Sequence, residues 1–414
     1  MKKTLITVTS ASLLALALNA CSSSGDSDAE PTSSTPSTSS TSSTSPTGAS
    51  IPTSAAPVTR APAAVPRNAF PVGSAFDEAT WEVKAGRGAD VRVTADRLVV
   101  KEWQAPVVGA WSAEGEKVWT YGAPTDASIR LLGQTIAIVD AHDTTGAGLD
   151  KTTQVITVTL LDLDDGSVVA EVEVPDSDMD GDSLAFASKR GADGSDGPNW
   201  GLVVAEDGTT HEFDLAEDRS VTGALRSVDG IPIWSVRGEL RGEGWTSADL
   251  GLVENSVLAV NDSLGLLLLW DNSPFAASET VHAIRAETGE RAFDVTCATG
   301  SEVGASLATG GTRSSTSPDG RYAVKGPVSF SSDEAVCLGG GDQQSVSLTA
   351  VDDDGTSYGV SAEGDLVVAP LNGDPQVSAL PSGASTPLGI MTGGIAVHWD
   401  DASGYITGNP IAAR

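Results

Sequence analysis

The sequence predicts an all-β fold, a single β-propeller of roughly six to eight blades with seven favoured, over residues 68–414. Three observations carry that expectation. Short runs of alternating character recur from about Phe70 onward, among them Val91 to Val93, Arg97 to Lys101, Thr135 to Val139, Gln154 to Leu161, Ser167 to Val174 and Leu264 to Trp270. Glycine or Asp-Gly turns separate these runs, and amphipathic stretches of helical period are scarce. The clearest turn glycines, at 115, 166, 208, 289, 355 and 404, are separated by 51, 42, 81, 66 and 49 residues. A period of about 40–50 residues is what four-stranded blades produce, because each blade buries its faces only against its neighbours. Two packed all-β sandwich domains are the structural alternative.

The chain before this domain has its own character. Residues 1–20 read as a secretory signal peptide: Lys2 and Lys3 give a positive start, Leu5 to Leu18 an apolar run, and Leu18-Asn19-Ala20-Cys21 a cleavage site. The run is too short for a membrane span. Its Leu-x-Ala-Cys ending resembles the lipobox of bacterial lipoproteins. That resemblance implies a Cys21 diacylated on sulfur, by palmitate or a similar chain, and made the new N-terminus. The expected location is a bacterial cell membrane, on its extracytoplasmic side, with the acyl groups as anchor. An ordinary secreted protein with an incidental Cys21 is the alternative.

Residues 21–67 read as the lipidated cysteine and a disordered tether. Every residue from Pro31 to Thr47 is Ser, Thr or Pro. Apolar side chains are too few there to offset the entropy of folding. As a flexible coil the tether spans roughly 35–40 Å, and fully extended it reaches about 150 Å.

Acidic residues outnumber basic ones by 56 to 24, a net charge of −32. Removing residues 1–20 takes away two lysines and no acid. Such a surface repels phosphate backbones and anionic headgroups, so nucleic acid is not an expected partner. Cationic groups and basic protein patches remain compatible with it. With Cys21 assigned to lipid, Cys297 and Cys337 remain, and an even pair in an oxidising compartment reads most simply as a disulfide. A closed loop of about 41 residues gives stabilisation of about 4 kcal/mol on chain-entropy arithmetic. Two free buried thiols are the alternative.

One hairpin form recurs. Ala110 to Trp119 places a strand, a turn at Gly115 and a second strand ending in an aromatic; Leu161 to Ala170 and Ala283 to Phe293 repeat it. Weaker copies turn at Gly208, Gly230, Gly355 and Gly404, with Trp234 four residues after Gly230. These hairpins resemble the Ala-x-Asp-x-x-Thr-Gly-x-x-x-Trp repeat of quinoprotein-like (PQQ-like) β-propellers. The matching positions are Ala283, Thr288, Gly289 and Phe293 in one copy, Asp162 and Gly166 in another, and Gly115 and Trp119 in a third. The resemblance implies that Trp119 and Trp234 dock between blades rather than touch a ligand. It does not bring the quinone with it, since quinoprotein dehydrogenases carry an adjacent Cys-Cys pair that this chain lacks; no cofactor is expected. Ser317-Pro318-Asp319-Gly320-Arg321-Tyr322-Ala323 is similar to the Ser-Pro-Asp-Gly turn of other bacterial propellers.

Candidate chemistry is sparse. Asp176, Asp178, Asp180 and Asp182 alternate as calcium-loop ligands do, with Gly181 among them. The completing acid of either familiar loop is missing: Leu184 and Ala187 stand at those places. A solvated acidic loop is the competing explanation. Gly181-Asp182-Ser183-Leu184 spells the nucleophile block of GDSL esterases, but no Asp-x-x-His follows, and a serine without a base is an ordinary alcohol. His142, His211, His282 and His398 show no zinc spacing. The sequence therefore favours a non-enzymatic binding or scaffolding module presented to an envelope protein or cell-wall component. Two other functions stay open: an envelope enzyme using channel carboxylates on glycan, peptide or lactone, and a calcium-dependent adhesion or sensor protein.

Overall fold

A computed structural model describes residues 61–413, apart from 69, 145–152, 176, 180–183, 189–199, 215–225, 237–238, 253–254, 272–277, 299–313 and 339–345. Its described strands form eight four-stranded antiparallel sheets. In chain order these are blade 1 (residues 90–122), blade 2 (128–175), blade 3 (177–214), blade 4 (226–246), blade 5 (255–298), blade 6 (315–337), blade 7 (346–378) and blade 8 (387–410 with 81–84). First strands of neighbouring blades approach one another around the axis, and fourth strands form the outer rim. Eight blades is the upper end of the expected range and one more than the favoured count.

The glycine spacing shows why one blade escaped. Gly115, Gly166, Gly208 and Gly289 sit between the third and fourth strands of blades 1, 2, 3 and 5. The 81-residue interval from Gly208 to Gly289 thus spans two blades, with the short blade 4 between them. Gly355 and Gly404 occupy other turns, between the first two strands of blade 7 and the middle strands of blade 8. Local turn chemistry is nonetheless regular. Asp229 and Gly230 both take positive φ, 51° and 76°, joining Val228 to Ile231 in the two-residue hairpin that Asp-Gly favours.

Blades meet through aromatic side chains seated on glycines. Trp81 is fully buried on the outer strand of blade 8, and its indole N–H donates to the Ala113 carbonyl of blade 1 at 2.7 Å. Trp119 of blade 1 donates to Leu163 of blade 2 at 2.9 Å, and Trp245 of blade 4 to Ala286 of blade 5 at 2.9 Å. Under each ring lies a turn glycine of the next blade: Gly115, Gly166 and Gly289. A Cβ at Gly166 would stand 2.7 Å from the Trp119 ring, so any side chain there displaces it. Trp119 therefore docks as the repeat resemblance implied. Trp234 also packs between blades, against Ala185 and Val203 of blade 3, but from the second strand of blade 4. The rim position in that blade belongs to Trp245.

The ring closes by pairing Trp81–Lys84 with Tyr405–Pro410, so N-terminal and C-terminal strands share blade 8. Cys297 and Cys337 form a disulfide between the outer strands of blades 5 and 6, Cα atoms 5.4 Å apart. The chain expected to be tether already touches the rim at Ala61.

Two stability outcomes are expected. Trp119→Ala should cost about 3–5 kcal/mol, a large aromatic lost from a packed contact, read by equilibrium urea unfolding. Cys297→Ser should cost about 2–4 kcal/mol, and dithiothreitol should lower the wild type toward that value while leaving the variant unchanged.

Candidate functional site

Two places concentrate charged groups near the axis or in a concavity. The first is the inner wall of blades 1 and 2. Leu132 pairs with Thr135 across a two-residue turn, so the alternation of hydrogen-bonded pairs leaves the N–H and C=O of Ile129 directed away from their own sheet. Blade 1 satisfies both. The Asp90 carboxylate accepts the Ile129 N–H at 3.2 Å, and Arg92 donates to the Ile129 carbonyl at 3.3 Å. Arg130 donates to the same carbonyl at 2.9 Å, and Asp90 pairs with Arg92. These charges therefore complete a strand edge that would otherwise face the channel unpaired. Arg226 holds the corresponding register in blade 4, two residues before the pair that closes its hairpin, as Arg130 does in blade 2.

The second is a cleft of about 310 Å³ between blades 7 and 8, lined by Asp352, Asp353, Asp354, Ile390, Ile411 and Ala412. Asp352 holds its own turn: one oxygen accepts the N–H groups of Asp354 and Thr356 at 3.0 and 2.9 Å, the other the Tyr358 hydroxyl at 2.8 Å. Asp353 ties the cleft to blade 6. Its carboxylate accepts the Asp319 N–H and its carbonyl the Arg321 guanidinium, both at 2.9 Å. Partial burial, aided by repulsion from Asp319, pushes the Asp353 carboxyl above its usual range. For Asp319, burial pushes upward too, but bonds from Ser317 and Arg321 outweigh it and hold the carboxyl low. Rimmed by acids on an apolar floor, the cleft suits an ammonium or guanidinium group.

Beneath the cleft, the Phe76 ring packs between Tyr358, tilted at 43°, and His398, edge-to-face, with ring centroids 5.4 and 4.7 Å apart. His398 is fully buried, and its Nδ1–H must donate to the Ser385 carbonyl at 2.9 Å. Nε2 is then a buried acceptor with no hydrogen-bond partner among the described residues. Desolvation lowers the His398 pKa to about 4, only partly opposed by the Ser385 bond.

Of the residues singled out by sequence, Cys297 and Cys337 meet as the disulfide, and most of the others lie outside the described residues. Of the acidic run, Asp176, Asp180 and Asp182 lie outside the described residues, as does Ser183; Asp178 sits on the strand Ser177–Met179, paired with Ala187. No group of three or more potential metal ligands gathers among the described residues. Cys21 lies outside them as well. His282 contacts Asp294 through Nδ1 at 2.7 Å, and His142 lies 3.4 Å from Asp140. Asp262, which burial pushes upward in pKa, and Asp353 belong to turns of different blades, 5 and 7. Sequence reasoning missed the Asp90–Arg92 edge cap and the exposed Trp103, which is 70% accessible on a turn whose Gln104 takes a φ of 57°. An Asp-x-Arg on a first strand was the legible signal for the former. Nothing periodic marked the latter.

No protein-family model and no curated protein matches the chain. Among solved structures it is similar to Hsv2p of Kluyveromyces lactis, at 13% identity over 70% of this chain and 96% of that one, TM-score 0.35. Hydrazine synthase of Kuenenia stuttgartiensis matches at 10% identity over 80% and 99%, TM-score 0.36. The β-propeller domain of the Trilobed protease of Pyrococcus furiosus matches at 11% identity over 66% and 88%, TM-score 0.30. The propeller assignment itself rests on this chain's own strand order.

The buried imidazole makes stability depend on pH. Its folded pKa lies below the unfolded value near 6.5, so the unfolded chain takes up this proton first. The contribution is complete above pH 6.5, falls as pH drops from there, and levels off below about 4, a loss of about 3 kcal/mol. Subtracting the urea-unfolding profile of His398→Gln from that of the wild type should isolate this step.

Proposed function

We propose that this chain is an extracytoplasmic lipoprotein whose propeller serves as a binding or scaffolding module for an envelope partner. The observation that carries the proposal is the disulfide between blades 5 and 6, downstream of a leader that ends in Leu18-Asn19-Ala20-Cys21. Such crosslinks persist in oxidising compartments outside the cytosol. The lipobox-like ending supplies an anchor, and the Ser/Thr/Pro stretch supplies reach. Anchoring by acyl groups is stable with two or more chains, since one alone holds only reversibly.

The module reading draws support from where the polar groups go. The Asp90, Arg92, Asp353 and Arg321 groups complete edges and join blades, and Asp352 closes a turn within blade 7, which rigidifies a platform. The acidic cleft between blades 7 and 8 offers a place for a basic side chain of a partner. We further read the blades as quinoprotein-like repeats, a kinship supported by the seating of Trp81, Trp119 and Trp245 on Gly115, Gly166 and Gly289.

The test compares wild type with Cys21→Ala in cell fractionation, with mass spectrometry of the N-terminal peptide and in-cell crosslinking. Expected are an acylated Cys21, wild type in the membrane fraction, the variant released, and one defined envelope partner crosslinked by the anchored form. An unmodified Cys21 with both proteins soluble would sink the anchored reading. Correct export and anchoring with no reproducible partner would sink the scaffold.

A further inference from the structure

We propose that residues 61–68 are a strap that fastens the ring's closing strand to blade 1 before the chain enters the propeller. The geometry runs across two blades. The Ala61 carbonyl accepts the Lys117 N–H of blade 1's outer strand at 3.2 Å, and the Ala64 carbonyl accepts the Glu82 N–H of blade 8's outer strand at 3.3 Å. Between them Ala63 packs on the apolar cluster that contains Trp81, Trp111 and Ala113. The Glu82 carboxylate then turns back and catches the end of the segment. One oxygen accepts the N–H groups of Arg67 and Asn68, both at 2.8 Å, and the other accepts the Asn68 side-chain amide at 3.3 Å. Five hydrogen bonds thus tie eight residues to two neighbouring outer strands.

The sequence of the strap suits this task. Pro62 and Pro66 have no N–H, so the segment can lay carbonyls on a sheet edge without offering a ladder for another strand to join. The place matters because the closing strand Trp81–Lys84 is four residues long and is held to the C-terminal strands by pairing rather than by chain continuity. Its other edge is what the strap covers. A pull on the N-terminal segment loads the Ala61–Lys117 and Glu82 contacts first, and the closing strand is reached only after they give way. The strap itself stands on these contacts alone. Its value as strain relief rests on the tethered-lipoprotein reading above.

Hydrogen exchange and thermal melting of the full chain test the strap. Replacing residues 61–68 with a Gly/Ser segment of equal length should speed exchange of the Glu82 and Lys117 amides at least about tenfold and lower Tm by about 3–6 °C. Glu82→Gln, which keeps the side chain's shape, should move both readouts in the same direction by less. Cys21→Ala should leave both unchanged, so failure of lipid anchoring is told apart from failure of the strap. Unaltered exchange and Tm in the Gly/Ser replacement, or in Glu82→Gln should the replacement fail to fold, overturn the proposal.

Discussion

A four-stranded sheet has two faces to bury, and in this protein the burying surface is always the next sheet. Each blade is consequently stable only as a member of the ring, and the contacts between blades decide the whole. At three junctions the contact is an indole lying on a turn glycine, with its N–H given to a carbonyl of the same turn. The pairing is reciprocal in its demands. The ring needs a turn without a Cβ, and the turn needs the positive φ that glycine adopts freely, 79° at Gly115, 72° at Gly166 and 71° at Gly289. Other junctions solve the same problem with different volumes. Ala170 faces Gly208, Tyr322 faces Gly355, and Phe293 tilts against Phe330 where the disulfide joins the rims.

The acidity of the chain has a structural use alongside its effect on solubility. Asp162, Asp207, Asp352 and Asp400 each accept backbone N–H groups of their own turns. Asp165 does the same for Ser167, and the hydroxyl and N–H of Ser167 hold its carboxyl below the usual range. A propeller has many turns, and a short carboxylate that folds back on its own backbone is an efficient way to close them. Part of the net charge of −32 is thus a by-product of turn-making. The inner wall shows a related economy, with Asp90 supplying the acceptor and Arg92 the donor that the edge at Ile129 lacks.

These contacts place strength unevenly around the ring. Blades 5 and 6 share a covalent bond between their rims, whereas blade 8 is assembled from both ends of the chain. Around that non-covalent joint cluster a fully buried Trp81, the Phe76 ring between Tyr358 and His398, and the strap. The same region carries the cleft lined by Asp352 to Asp354. The buried His398 imidazole of this region is neutral at pH 7, its pKa lowered to about 4 by desolvation.

Local rules carried the sequence a long way. Alternation gave the strands, glycine and Asp-Gly gave the turns, and a near-periodic hairpin gave the blade as the unit. Eight blades lies within the expected six to eight, and the favoured seven fell one short because blade 4 is compressed into residues 226–246 and breaks the interval. Trp234 packs between blades as expected, but from the second strand of its blade, because its turn glycine joins the first two strands and local sequence does not say which turn is which. Two cysteines downstream of a leader-like start were enough to suggest their bond. Which charges meet was not legible: Asp90 finds Ile129 across 39 residues, and Asp319 finds Asp353 across 34. Nor was the strap, since a Pro- and Ala-rich run reads as tether until an edge is set beside it. The sequence by itself determined what is local, strand, turn and repeat, because period and φ preference act within a few residues. Ring size, closure and the partners of buried and inner-wall groups were decided only by tertiary structure, because they depend on which edges and faces other blades leave unsatisfied.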